Sequence, residues 1–126
     1  MSLFLNLSSR DSLALQPENT WHDFTVELPR SIEGKFQCAL MEFACASSML
    51  EELYVFSDIC TPEFVADSVQ PLLRIVTEEG EVSHPYFKAV SRQVIQRVRI
   101  FIRNRNLNVP IQSVGSVRVT LSLETI

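Results

Sequence analysis

Apolar and polar residues alternate with a period of two along most of the chain, the repeat that sends successive side chains to opposite faces of an extended strand. In 21–28 (WHDFTVEL), Phe24, Val26 and Leu28 alternate with Thr25 and Glu27. In 35–43 (KFQCALMEF), Phe36, Cys38 and Leu40 face one way, and Gln37, Ala39, Met41 and Phe43 the other, which predicts a strand covered on both sides. The run 53–60 (LYVFSDIC) is filled with β-branched and aromatic residues. Over 94–103, Val94, Val98, Ile100 and Ile102 share one face, and Arg97, Arg99, Phe101 and Arg103 the other. Over 116–124, Val117, Val119, Leu121 and Leu123 alternate with Ser116, Arg118, Thr120, Ser122 and Glu124. Weaker strand patterns lie at 2–7, 12–15, 72–77 and 86–90.

Turn residues separate these runs: Pro17-Glu-Asn-Thr, Pro29-Arg-Ser, Glu33-Gly34, Glu79-Gly80, and Asn104 through Asn108 with Pro110. About eight or nine short strands at this spacing predict an all-β fold, an antiparallel sandwich or barrel. Helix signals are brief. Ser48-Met-Leu-Glu51 fits a capping box, and Thr61-Pro62-Glu63 fits an N-cap with proline at the first helical position; each predicts one turn. No repeat or linker divides the chain, so 1–126 reads as one domain, with 1–9 as an edge strand, either its own or exchanged with a neighbouring copy.

Composition narrows the class. Of 126 residues, 46% are apolar and 21% charged, which excludes a disordered or collagen-like chain. No apolar stretch approaches the ~18 residues of a membrane-spanning helix. Met1 through Leu7 lacks the basic flank of a secretory signal. Cys38, Cys45 and Cys60, an odd number within or beside apolar runs, read as buried thiols of a reducing compartment, with a Cys38–Cys45 bridge as the alternative.

Candidate chemistry is sparse. The histidines, His22 and His84, stand apart; His22 adjoins Asp23, but neighbouring strand residues point to opposite faces. No C-x-x-C or H-x₃₋₅-H spacing is present, and Asp58 with Cys60, on one face of 53–60, is the nearest approach to a ligand pair. Three glycines leave no phosphate-cradling loop. Glu51-Glu52 and Glu78-Glu79 fall at expected turns and read as solvated charge. The expectation is therefore a protein with no catalytic residues, no metal and no cofactor.

Charge is unevenly spread along the chain. Residues 1–81 carry a net −10 and residues 88–118 a net +7, within a total of −4. Arg97, Arg99 and Arg103, with Phe101 among them, line one strand face, and Arg118 projects from the last strand, expected to pair with it across 104–115. Like charges side by side on a bare sheet destabilise it, so a partner is expected to offset them. Three readings compete: a solvated face of arginine stems, docking on the acidic surface of another copy, or a stacking-plus-phosphate surface for single-stranded nucleic acid. Docking makes Arg97, Arg99, Phe101, Arg103 and Arg118 the candidate interface of a homo-oligomer.

An ordered series of segments resembles a known family. Pro17-Glu-Asn-Thr-Trp-His-Asp-Phe-Thr-Val-Glu-Leu-Pro-Arg30 is similar to its opening P-x-N-T…F-x-V-x-L-P, and Phe36-Gln-Cys-Ala-Leu-Met-Glu-Phe43 to the strand that follows. Tyr54 through Ile59 and Pro71 through Val76 resemble its YVY-x-D-[IL]…P-L-L-R-[IV]-V block. Tyr86 through Arg92, Val98 through Arg103 and Val117 through Leu121 resemble its last strands. The family comprises minor capsid, penton-like proteins of polinton elements and of adintovirus- and adomavirus-like DNA viruses. Two departures stand out: Phe36 replaces a usual tryptophan, and Asn104–Asn108 a usual hairpin glycine. The resemblance implies a single jelly-roll sandwich in the virion, assembled in the nucleus or cytoplasm of the host, in contact with copies of itself (a ring or trimer) and with other capsid proteins. The rival expectations are a nucleic-acid-binding β-barrel and a receptor- or glycan-binding virion head with its site in 61–71 or 104–115.

Overall fold

The computed structural model describes residues 2–9, 19–47, 51–65, 67–110 and 114–126. Every regular element in them is a strand: β1 (Ser2–Ser8), β2 (Asp23–Glu33), β3 (Phe36–Cys45), β4 (Leu53–Ser57), β5 (Glu63–Val65), β6 (Ser68–Gln70), β7 (Leu72–Val76), β8 (Gly80–Glu81), β9 (Lys88–Ala89), β10 (Val94–Arg103) and β11 (Val117–Thr125). One sheet runs β1-β11-β3-β8, with β9 in line with β8 along β3; the other runs β2-β10-β4-β7. All pairings are antiparallel. The fold is an antiparallel β-sandwich.

Its connectivity is nested. The first strand pairs with the last (β1 with β11), the second with the next to last (β2 with β10), β3 with β8 and β9, and β4 with β7. The chain behaves as one long hairpin rolled into two layers, with the small β5–β6 hairpin near its tip.

Both inner faces supply the core. Phe24, Phe36, Leu40, Phe43, Leu53, Val55, Ile100, Ile102, Val119, Leu121 and Leu123 are buried in one cluster. Each such side chain contributes roughly 1.5–3 kcal/mol on burial. A second cluster lies on the outer face of the β2-β10-β4-β7 sheet, where Phe56, Val65 and Leu72 pack with Tyr54, Phe101 and Leu107.

Four expectations are corrected. Val94 is 46% exposed and Ile95 buried, because the register against β2 shifts between Ile95 and Arg97 and so reverses the parity of the strand's start. Phe43 lies inside with Leu40, because a similar irregularity interrupts the β3–β11 register between Thr120 and Leu121. The strand expected at 53–60 ends at Ser57, where the Cys60 N–H turns back to the Ser57 carbonyl (3.2 Å). The turn of helix expected at Thr61–Glu63 is absent; Glu63, Phe64 and Val65 pair with Gln70, Val69 and Ser68 as a hairpin. The strand expected at 12–15 lies outside the described residues, as does most of Ser48–Glu51.

Candidate functional site

The register of β2 against β10 decides what happens to the basic ladder. Arg97 lies opposite Glu27, Arg99 opposite Thr25, and Phe101 opposite Asp23. Asp23 therefore sits diagonally between two arginines, within reach of both side chains. Arg99 grips it with two bonds, Nε to Oδ1 at 2.9 Å and Nη2 to Oδ2 at 2.7 Å. Arg103 approaches the same carboxylate at 3.9 Å, and Arg97 reaches Glu27 at 3.4 Å. The bonds from Arg99 outweigh partial burial and hold the Asp23 carboxyl below its usual range, while the Asp23 bonds raise the already high Arg99 pKa.

Phe101 is not a bare ring. It stacks on Phe56 (centroids 5.0 Å apart, planes 10° apart), and the guanidinium carbons of Arg99 and Arg103 lie 4.6 and 5.3 Å from its centroid. Beside it, the Arg103 side chain donates to the His22 carbonyl (3.4 Å), and the His22 ring meets Trp21 edge-on. Burial, and then the Arg103 charge, lower the His22 pKa; its Nδ1 is buried without a partner. A neutral imidazole fits that position.

Arg118 stands elsewhere. Because β11 returns to the other sheet, Arg118 lies on the opposite layer from β10, where it pairs with Glu42 of β3 at 3.1 Å. The expected pairing of Arg118 with the ladder is corrected on this point: β10 and β11, though consecutive, belong to different sheets. Arg92 reaches Asp58 at 2.7 Å and Lys88 reaches Glu63 at 2.6 Å. Six of the seven bases in 88–118 thus meet a carboxylate of the same chain. The charge separation along the sequence largely cancels in space.

The remaining candidates divide. Asp58 accepts from Arg92 and from the Arg99 backbone N–H (2.9 Å), whereas the Cys60 thiol faces Cys38, so Asp58 and Cys60, the nearest approach to a ligand pair in the sequence, do not share a site. No cluster of three or more metal-ligating residues occurs among the described residues. His84 is exposed, and its carbonyl accepts from Arg74. Glu51 and Glu52 are half-buried rather than fully solvated, with Glu51 Oε1 buried, and Glu79 accepts from the Cys45 backbone N–H (3.3 Å). A Cys38–Cys45 bridge is excluded, because seven residues along one extended strand separate them by roughly 20 Å. Cys45 donates its thiol to the Ser47 carbonyl (2.9 Å) instead. In the 104–115 connection, Asn104 Oδ1 accepts from the Asn106 and Asn108 N–H groups (2.9 and 3.1 Å), a local turn bond of the kind asparagine favours.

Two features were not read from the sequence. One is the set of carboxylates Asp23, Glu27, Glu42 and Asp58, whose roles depend on register. The other is contact between the Cys38 and Cys60 sulfurs. No family model matches the chain, and no curated protein matches it either. No described helix is long and apolar enough to cross a membrane.

Proposed function

We propose that this chain is a structural protein of viral or virus-derived origin, of the minor-capsid, penton-like kind, that works by oligomeric assembly rather than by catalysis. The nested strand order supports the first half of this reading. It is the order expected of a jelly roll, a fold used by capsid proteins as well as by lectins and cupins.

The β1 edge carries the second half. Sheet edges invite pairing with other chains, and among the described residues three of the four edges of the two large sheets are blunted. β2 carries Pro29, four charged residues and a register shift; β7 carries Arg74; β8 and β9 are two residues each. β1 is seven residues long and uncharged, with Phe4 60% exposed. The Ser9 N–H donates to the Val117 carbonyl (2.9 Å), so by alternation Leu3, Leu5 and Leu7 aim their peptide groups at β11. Phe4 and Asn6 aim theirs outward. The seam beside that edge is mainly apolar, lined by Leu3, Phe4 and Leu5 of β1 and by Leu28, Pro29 and Ile32 of β2, with Arg30, Ser31 and Glu33 of β2 completing it. A second copy's β1, running antiparallel, would extend the sheet, place its leucines over this seam and bring no like charge against it. The occupant of the edge is accordingly another copy of the chain, with further capsid proteins as neighbours of the assembly. The ladder arginines, already paired, are secondary to it.

The nucleic-acid reading needs free guanidinium groups and a bare ring, and the paired ladder and stacked Phe101 remove its motive. The test is mass in solution by light scattering at ~0.1 M and ~0.5 M salt. The chain forms oligomers at both, since the edge is uncharged. Phe4→Pro deletes an outward amide but no bond to β11, and yields monomers; Phe4→Lys, which keeps the amide and charges the edge, does the same. A wild-type chain that stays monomeric over a wide concentration range overturns the proposal, as does assembly that survives both substitutions.

A further inference from the structure

We infer that Cys38 and Cys60 form a reversible disulfide that ties the two sheets together when the protein meets a hydroperoxide oxidant. Their sulfurs lie 3.6 Å apart, 22 residues apart in sequence, and both side chains are buried. Cys38 belongs to β3 of one sheet; Cys60 follows β4 of the other and bridges Val90 beside β9. A bond between them needs the sulfurs to close to about 2.05 Å, a matter of side-chain rotation with modest backbone adjustment. The third cysteine, Cys45, is at the far end of β3 and cannot compete within the chain.

The surroundings favour ionisation of one member of the pair. Contact with Cys60, with the Lys88 ammonium nearby, holds the Cys38 thiol below its usual range against the effect of burial. The same contact and burial push the Cys60 thiol up. Cys38 is thus the attacking sulfur and Cys60 the resolving one. Both thiols are buried, which favours a small oxidant such as a peroxide over a bulky disulfide reagent.

With hydrogen peroxide the step balances as follows. The Cys38 thiolate attacks one oxygen, the O–O bond breaks, and the departing hydroxide takes a proton to leave as water. Cys38 then carries a sulfenic acid. The Cys60 sulfur attacks Cys38, the S–O bond breaks, and the hydroxide leaves as a second water with the Cys60 proton. Two thiols lose two electrons and two protons, and one peroxide becomes two waters.

The experiment treats the full chain, wild type and Cys45→Ser, with stoichiometric hydrogen peroxide and follows intact mass, peptide mapping and thermal melting. The expected product is lighter by two hydrogens, contains a Cys38–Cys60 linked peptide, melts roughly 10 °C higher, and reverts with dithiothreitol. Added oxygen on either cysteine without a linked peptide overturns the inference. So does recovery of both thiols in alkylatable form after unfolding. Neither result bears on assembly through β1, so the two proposals fail separately.

Discussion

Replacing Asp23 tests whether the sandwich neutralises its own basic ladder. The Asp23 side chain is 32% exposed and that of Arg99 44%, so the pair belongs near the surface, not in a dry interior. Two unit charges at ~4 Å interact by about 4 kcal/mol at an effective dielectric of 20 and by about 1 kcal/mol in bulk water. Exposure and the ordering of a long arginine side chain favour the lower figure, and the two-bond geometry prevents its vanishing. The coupling between Asp23 and Arg99 is therefore about 1 kcal/mol. Asp23→Ala alone costs more, ~1–2 kcal/mol, because it leaves two guanidiniums beside one ring with a common counter-charge removed. The assay is a double-mutant cycle of Asp23→Ala and Arg99→Ala by urea unfolding at pH 7. The carboxyl is held below its usual range, so its contribution is complete above the unfolded-state value near 4 and fades as pH falls through the lower folded-state value. The gap between wild type and Asp23→Ala thus narrows in acid below about pH 4 and never in the alkaline range. A coupling of zero at pH 7, or a gap unchanged in acid, would refute intrachain neutralisation and strengthen the ladder as a candidate interface.

Two further outcomes follow from packing. Ile100→Ala empties a fully buried position and lowers unfolding free energy by about 3 kcal/mol, whereas Phe64→Ser, at a side chain 85% exposed, changes it by less than about 0.5 kcal/mol; comparable urea midpoints for the two would contradict the assignment of the core. Gly115→Ala costs more than Gly80→Ala: both positions have positive φ (+75° and +117°), but an added Cβ at Gly115 meets the Ala46 Cβ at 2.8 Å, while at Gly80 it meets nothing within 4 Å. Thermal melting ranks the pair, and the opposite order would sink the steric argument.

What the sequence disclosed was local. Alternation at Phe24, Val26 and Leu28, and at Val117 through Leu123, is visible without any partner, because the pleat alone fixes which side chains share a face. It fails where the partner strand imposes the answer. Val94 and Ile95 exchange faces through a register shift that only β2 reveals. Thr61-Pro62-Glu63 carries a helix-start pattern, yet the cross-strand neighbours of Phe64 and Val65 make a hairpin of it. The sequence predicts Arg118 beside the ladder because β10 and β11 are consecutive, and consecutive strands usually pair. In a rolled hairpin they lie in different layers, and nothing in 104–115 announces that.

The same roll accounts for the segregation of charge. Asp23 and Arg99 are 76 residues apart, as are Glu42 and Arg118, and each pair joins an early strand to a late one. Nested pairing requires an early segment to find a late one and to ignore its own copies. An arginine-bearing β10 repels another β10, whereas β2, with Asp23 and Glu27 at the matching positions, attracts it in one register. Charge of opposite sign at the two ends of the chain thus selects the intrachain partner and discourages edge pairing between copies. Among the described residues, β1 is the longer edge strand that lacks that protection. In a chain whose other edges carry charge, proline or little length, an uncharged β1 opposes contact with another copy least, and this asymmetry is the physical argument for the proposed assembly at that edge.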